Sequence, residues 1–171
     1  MAEEIINRVA NSPIITINLE NYFPEHEIVA FDLKDYLFME MILKEKDFRM
    51  ALKAHDWSQY EGKILCVYCS KDVIIPVWAY MLVASYASGV VHDVFQGNKE
   101  EYLIQYYRQL IQNFDVTEHE DRPVVIKGCS KKPVPPAAYL EMTARLKGVA
   151  KSIMYGEPCS TVPIYKKPRK V

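Results

Sequence analysis

Lys63-Ile-Leu-Cys-Val-Tyr-Cys69 is an apolar run without alternation, followed by the polar Ser70-Lys71-Asp72 and then Pro76. A strand buried on both faces reads this way, whereas a half-exposed strand alternates. Pro76 suits the first turn of a helix, where its missing N–H has no helical partner in any case. The segment behind it runs to about Ser88, and Gly89 supplies a helix-ending residue. Val90 to Phe95 then predicts a second strand. Strand, helix and strand in this order predict a right-handed crossover between parallel strands.

The same text returns further along the chain. Cys69-Ser70-Lys71 recurs as Cys129-Ser130-Lys131, and Pro76 recurs as Pro136. Asp47-Phe-Arg-Met-Ala-Leu52 is echoed by Tyr106-Tyr-Arg-Gln-Leu-Ile111, and Gly89 and Gly97 are echoed by Gly148 and Gly156. The chain thus reads as two pseudo-repeats, 47–97 and 106–156, each running helix, strand, helix, strand. The second copy opens with Asn98 as a helix cap and Glu101 three residues on. Its strands are Pro123 to Lys127 and Ser152 to Tyr155. The expected architecture is a single α/β domain spanning 1–171. It has three layers and a four-stranded parallel sheet of order 2-1-3-4, a flavodoxin-like arrangement. Residues 1–46 are expected to add an amino-terminal hairpin, with Ile15 to Leu19 pairing with Ile28 to Phe31. Residues 157–171 form a tail, frayed over Lys166 to Lys170.

Composition narrows the class of function. The chain has 171 residues, half of them hydrophobic and a quarter charged, which fits one globular domain. Twenty-one basic against 22 acidic residues leave a net charge of −1, so nucleic acid is not an expected partner. Four cysteines are too few for a disulfide scaffold at this length. Met1-Ala2-Glu3-Glu4 is acidic where an export signal would be basic. Val73 to Ala87 is too short to span a bilayer, so no membrane association is expected. The expected location is the cytoplasm, with the thiols kept reduced.

Three cysteines fall just past strand ends: Cys69, Cys129 and Cys159, each followed by serine. Ligands of open α/β sheets bind outside the carboxyl ends of the strands. Neighbouring strands lie about 4.8 Å apart, close enough for thiols at adjacent ends to share one ion. With Glu157 as a fourth ligand, the set suits zinc or an iron–sulfur cluster better than magnesium or calcium. His92 and Asp72 are weaker candidates for that position. Cys66 sits inside a strand and reads as core. A second expectation uses the loops as anion binders, with Ser70, Lys71, Ser130 and Lys131 at helix starts holding a small anionic ligand. A third makes Cys129 a nucleophile of a thiol-dependent enzyme, its thiolate favoured by the helix start and Lys131. A fourth is a non-enzymatic interaction module whose cysteines only pack. Trp78 and Tyr80, with Tyr106 and Tyr107, read as core or as the face of a homodimer.

Ile126-Lys-Gly-Cys-Ser-Lys-Lys-Pro-Val-Pro135 and Ala150-Lys-Ser-Ile-Met-Tyr-Gly-Glu-Pro-Cys-Ser-Thr-Val-Pro163 resemble an uncharacterised bacterial family catalogued only as a domain of unknown function. Leu43 to Arg49 and His55-Asp-Trp57 fit it as well. The resemblance covers nearly the whole chain and implies a bacterial cytosolic protein, with no activity or catalytic residue attached. Gly128-Cys129-Ser-Lys-Lys-Pro133 is also similar to the Gly-Cys-Pro-Pro-x-Pro loop of the iron–sulfur subunit of respiratory complex I, whose loop cysteine ligates a cluster. That likeness reaches Cys129 alone, because the adjacent cysteine pair of that family has no counterpart here.

Overall fold

The computed structural model describes residues 14–128, 131–157 and 160–168. In chain order the elements are β1 (Ile15–Ile17), β2 (Ile28–Asp32), α1 (Glu45–Ala54), β3 (Ile64–Tyr68), α2 (Val77–Ala87), β4 (Asp93–Gln96), α3 (Lys99–Gln112), β5 (Pro123–Ile126), α4 (Pro136–Lys147), β6 (Ser152–Glu157) and β7 (Ser160–Lys166). Short 3-10 helices lie at Leu19–Tyr22, Leu33–Tyr36, Trp57–Tyr60 and Thr117–His119. No helix among the described residues is long and apolar enough to cross a membrane.

The chain divides into two compact units. One is continuous, Pro24–Tyr102; the other is split, Met1–Phe23 with Leu103–Val171. The boundary falls inside α3. The continuous unit holds a three-stranded parallel sheet of order β2-β3-β4. Ile64, Leu65, Cys66 and Val67 of the central β3 are all buried, as the unbroken apolar run demands. One face of the sheet carries the unit's core: Phe31, Leu65 and Val67 from strands, Phe48 and Leu52 from α1, and Ala79, Val83 and Ala87 from α2. The spacing 79, 83, 87 is one stripe of a helix, and the small alanines let α2 approach the sheet.

The split unit holds the order β1-β5-β6-β7. Its first three strands are parallel, with Ile15 opposite Val124 and Val124 opposite Ile153. β7 turns back antiparallel to β6. Tyr107 of α3 is fully buried and donates its hydroxyl to the Leu19 carbonyl at 2.9 Å. α3 opens with a reciprocal cap: the Glu101 amide donates to Asn98 Oδ1 and the Asn98 amide to Glu101 Oε2.

The sheet order differs from the flavodoxin-like 2-1-3-4. That order needs β3 beside β5, but β3 lies between β2 and β4, and β5 between β1 and β6. Nor do β1 and β2 form a hairpin: each runs parallel to a different buried strand, one to β5 and the other to β3. The physical reason is backbone satisfaction. A buried central strand needs partners along both edges, and the amino-terminal strands supply the second partner for β3 and for β5. The tail also differs from its expectation. Ser160 to Lys166 pairs with β6, and the Lys167 amide donates to the Lys151 carbonyl.

Candidate functional site

The loop after β3 is built on Asp32, the last residue of β2. Asp32 Oδ1 accepts the Ser70 amide and the Lys34 amide, each at 3.0 Å. Burial opposes ionisation there, but hydrogen bonds from the Ser70 side chain and from the Lys34 and Ser70 amides prevail. They hold the Asp32 carboxyl below its ordinary value. Lys71 reaches Glu40 Oε2 at 2.8 Å. Ser70 and Lys71, candidates for an anionic ligand, thus already face two carboxylates of the chain itself. Cys69 stands at the same strand end, half-buried against the core.

The corresponding loop of the split unit uses a carboxylate in the same way. Glu20 Oε1 accepts the Lys131 amide and, at 2.6 Å, the Lys132 amide. Lys127 pairs with Glu157 at 3.8 Å, and the Tyr155 hydroxyl donates to the Gly128 carbonyl at 3.1 Å. Cys129, Ser130 and Cys159 lie outside the described residues. Cys69 belongs to the continuous unit. Among the described residues, no three His, Cys, Asp or Glu side chains come together as a metal-holding group. His92, half of an exposed stacked pair with His26, immediately precedes β4.

Cys66 is 1 % exposed, and burial, then the charge of Asp93, pushes its thiol up to about 11. At pH 8 its thiolate fraction is on the order of 0.1 %. Iodoacetamide is expected to label Cys69 while leaving Cys66 unmodified in the folded protein, read by peptide mass spectrometry. Comparable labelling of both would contradict the burial. The linkage has a definite sign. A thiol raised from 9.0 in the unfolded chain keeps its contribution to stability below pH 9 and loses it as pH rises through about 11.

Sequence reasoning missed two features of the continuous unit. The first is an aromatic box around His55. Its Nδ1 lies 3.4 Å from the Tyr36 hydroxyl and its Nε2 3.2 Å from the Tyr60 hydroxyl, with Trp57 and Phe31 against the ring. Burial raises both tyrosine hydroxyls above their ordinary value. The second is an uncovered apolar face. Phe38 and Ile42 bridge across a tight turn whose central residues, Met39 and Glu40, have φ of 51° and 58°. Beside this turn a groove of about 400 Å³ is lined by Met41, Ile42, Leu43, Asp72, Val73, Ile74 and Pro76. Ile74 is 93 % exposed, Met39 77 %, Val77 74 % and Met81 68 %. The available signal was α2 itself, Val77-Trp-Ala-Tyr-Met-Leu-Val-Ala-Ser-Tyr-Ala87, which has no charged residue on any side. A helix apolar all round belongs under cover, and this one shows Val77 and Met81 to solvent.

Fold and site define an α/β protein of two units, one with a parallel sheet and one with a mixed, mainly parallel sheet, with strand-end loops tied down by the chain's own carboxylates. Residues 3–167 match the family described as "Protein of unknown function (DUF2480)", and the chain belongs to that family. No curated protein and no solved structure is significantly similar to it.

Proposed function

We propose that the chain is a non-enzymatic interaction module whose docking surface is the apolar face of the continuous unit. Its occupant is a protein surface that is itself apolar and close to neutral. The observation that carries this reading is the stripe Ile74, Val77 and Met81, each more than two-thirds exposed on and beside an uncharged helix. Scattered exposed apolar side chains are ordinary, but a contiguous set bordering a groove marks an interaction site. The strand-end loops give weaker support for catalysis, since their amides and Lys71 are already engaged by Asp32, Glu20 and Glu40. The test is the native mass of the protein in fresh extract of its own host, read by size-exclusion chromatography, against an Ile74→Asp/Met81→Asp variant. A mass above that of the single chain that falls in the variant supports the module. A wild-type protein already at the mass of the single chain overturns it.

A second reading keeps Cys129 and Cys159, with Glu157, as a site for zinc or an iron–sulfur cluster. What supports it is the pairing of β5 with β6. Gly128 and Glu157, one and two residues before those cysteines, leave the same end of neighbouring parallel strands. Metal content and the visible spectrum of tag-free protein purified without oxygen test it. About one equivalent of metal, lost in Cys129→Ser and Cys159→Ser, is expected; metal-free wild-type protein rules it out. In that event rapid alkylation of Cys129 would favour the thiol-enzyme alternative, and a small anion held at either loop, by Ser70 and Lys71 or by Ser130 and Lys131, would require displacing the carboxylates that the loop already engages. The cytoplasm, where thiols stay reduced, suits either chemistry.

The two units also read as copies of one ancestral repeat. Each runs strand, 3-10 helix, helix, 3-10 helix, strand, helix, strand, and the split unit then adds β7. Supporting pairs of backbone bonds recur at matched places: Gly62 to Val90 and His92 to Lys63 in one, Asp121 to Val149 and Lys151 to Arg122 in the other. Gly62 and Asp121 share a positive φ, 68° and 50°.

A further inference from the structure

We infer that the occupant of this apolar face is a second copy of the chain, joined about a two-fold axis with the continuous units face to face. The inference rests on the interaction-module reading and names its partner. Three features point to self-pairing. The first is area. Met39, Met41, Ile42, Ile74, Val77 and Met81 are each 60–93 % exposed, and six such side chains approach the roughly 800 Å² per partner of a stable interface. The second is charge. Among the described residues Asp72 is the one charged residue lining the groove, and the pair Glu40, at the neighbouring turn, and Lys71, next to Asp72 in the chain, carries both signs. A strongly acidic or basic partner would find no complement, whereas a two-fold axis can set the cation of each copy against the anions of the other.

The third is shape. The face carries both a projection and a recess. Met39 stands at the tip of the turn bridged by Phe38 and Ile42, and the groove lies beside it. Methionine and glutamate rarely adopt positive φ, so the chain holds Met39 and Glu40 outward against their backbone preference, with the Lys71–Glu40 ion pair fixing the tip. An isologous interface uses one patch twice, so the Met39 of each copy enters the groove of the other. The flexible thioether adapts to such a recess, and the preformed turn lowers the entropy lost on association.

Sedimentation velocity of purified, tag-free protein over the micromolar to submillimolar range tests this. Wild type is expected to sediment as a dimer that dissociates on dilution. Ile74→Asp and Met81→Asp are each expected to weaken the dimer at least tenfold, with circular dichroism melts near that of wild type, because both side chains are exposed. Leu140→Asp, at a 71 % exposed position of the split unit, is expected to leave it unchanged. A wild-type monomer throughout the range overturns the inference. If the same protein still runs as a larger, Ile74- and Met81-dependent species in host extract, the docking face stands with a different partner. A dimer insensitive to both aspartates also overturns the inference, and an unchanged mass in extract then removes the docking face as well.

Discussion

Phe48→Ala is expected to lower the stability of the continuous unit by about 3–5 kcal/mol. Phe48 is 1 % exposed and joins α1 to the sheet core. Its ring meets Tyr36 edge-on at 5.2 Å and Trp78 at 6.1 Å, and it forms one wall of the small surface cavity beside Tyr36. Alanine removes the buried ring and leaves a void between side chains that are themselves locked by stacking: Tyr36 on Phe31, and Phe31 on Trp57. The loss is read by urea unfolding followed by tryptophan fluorescence. Trp57 and Trp78 both lie in the continuous unit, so the emission reports that unit alone. A loss of unfolding free energy below about 1 kcal/mol would show that α1 is not held by this contact.

Gly156→Ala is the second large effect, and it falls on the split unit. Gly156 has φ of 124°, a region L side chains rarely adopt, and an added Cβ would stand 2.6 Å from the Ser160 carbonyl oxygen. Both the strain and the clash oppose the β6–β7 hairpin, whose connection contains Cys159. A loss on the order of 3 kcal/mol is expected, with faster amide exchange along β6 and β7 and unchanged tryptophan emission. A variant as stable as wild type, with the hairpin amides equally protected, would contradict this geometry. Were the metal reading correct, this substitution would also release the ion without touching a ligand.

Local structure was more legible in the sequence than pairing. The run at Lys63–Cys69, the proline-led helices and the Asn98–Glu101 cap each depend on a few adjacent residues, and each appears within a residue or two of its expected bounds. Which strand lies beside which depends on partners far apart in the chain. Ile15 to Ile17 is only three residues long, and its alternation does not distinguish a hairpin edge from the parallel partner of β5. β7 was hidden for a related reason. Thr161-Val-Pro-Ile164 contains a proline, which demotes a run to an edge strand, and at an edge β7 indeed lies.

At the site, the sequence marked Ser70, Lys71 and Lys131 as free donors. Their engagement depends on Asp32, Glu40 and Glu20, which are 38, 31 and 111 residues away, and no local pattern reports it. The uncovered face was legible in part. The absence of charge in α2 is plain in the sequence, but that Val77 and Met81 point outward while Ala79, Val83 and Ala87 point inward follows only from the sheet on which the helix packs.

The pairing of β1 with β5 has a consequence for how the chain is made. β1 leaves the ribosome well before β5, its partner, which is synthesised only after the whole of Pro24–Tyr102. The strands of the continuous unit all find their neighbours within that stretch. Throughout the interval β1, which lies within the apolar run Ile14-Ile-Thr-Ile17, carries backbone donors and acceptors without the strand they finally meet. The nascent chain, rather than the finished protein, is therefore the form most exposed to wrong pairing, and the stage at which a chaperone would have most to protect.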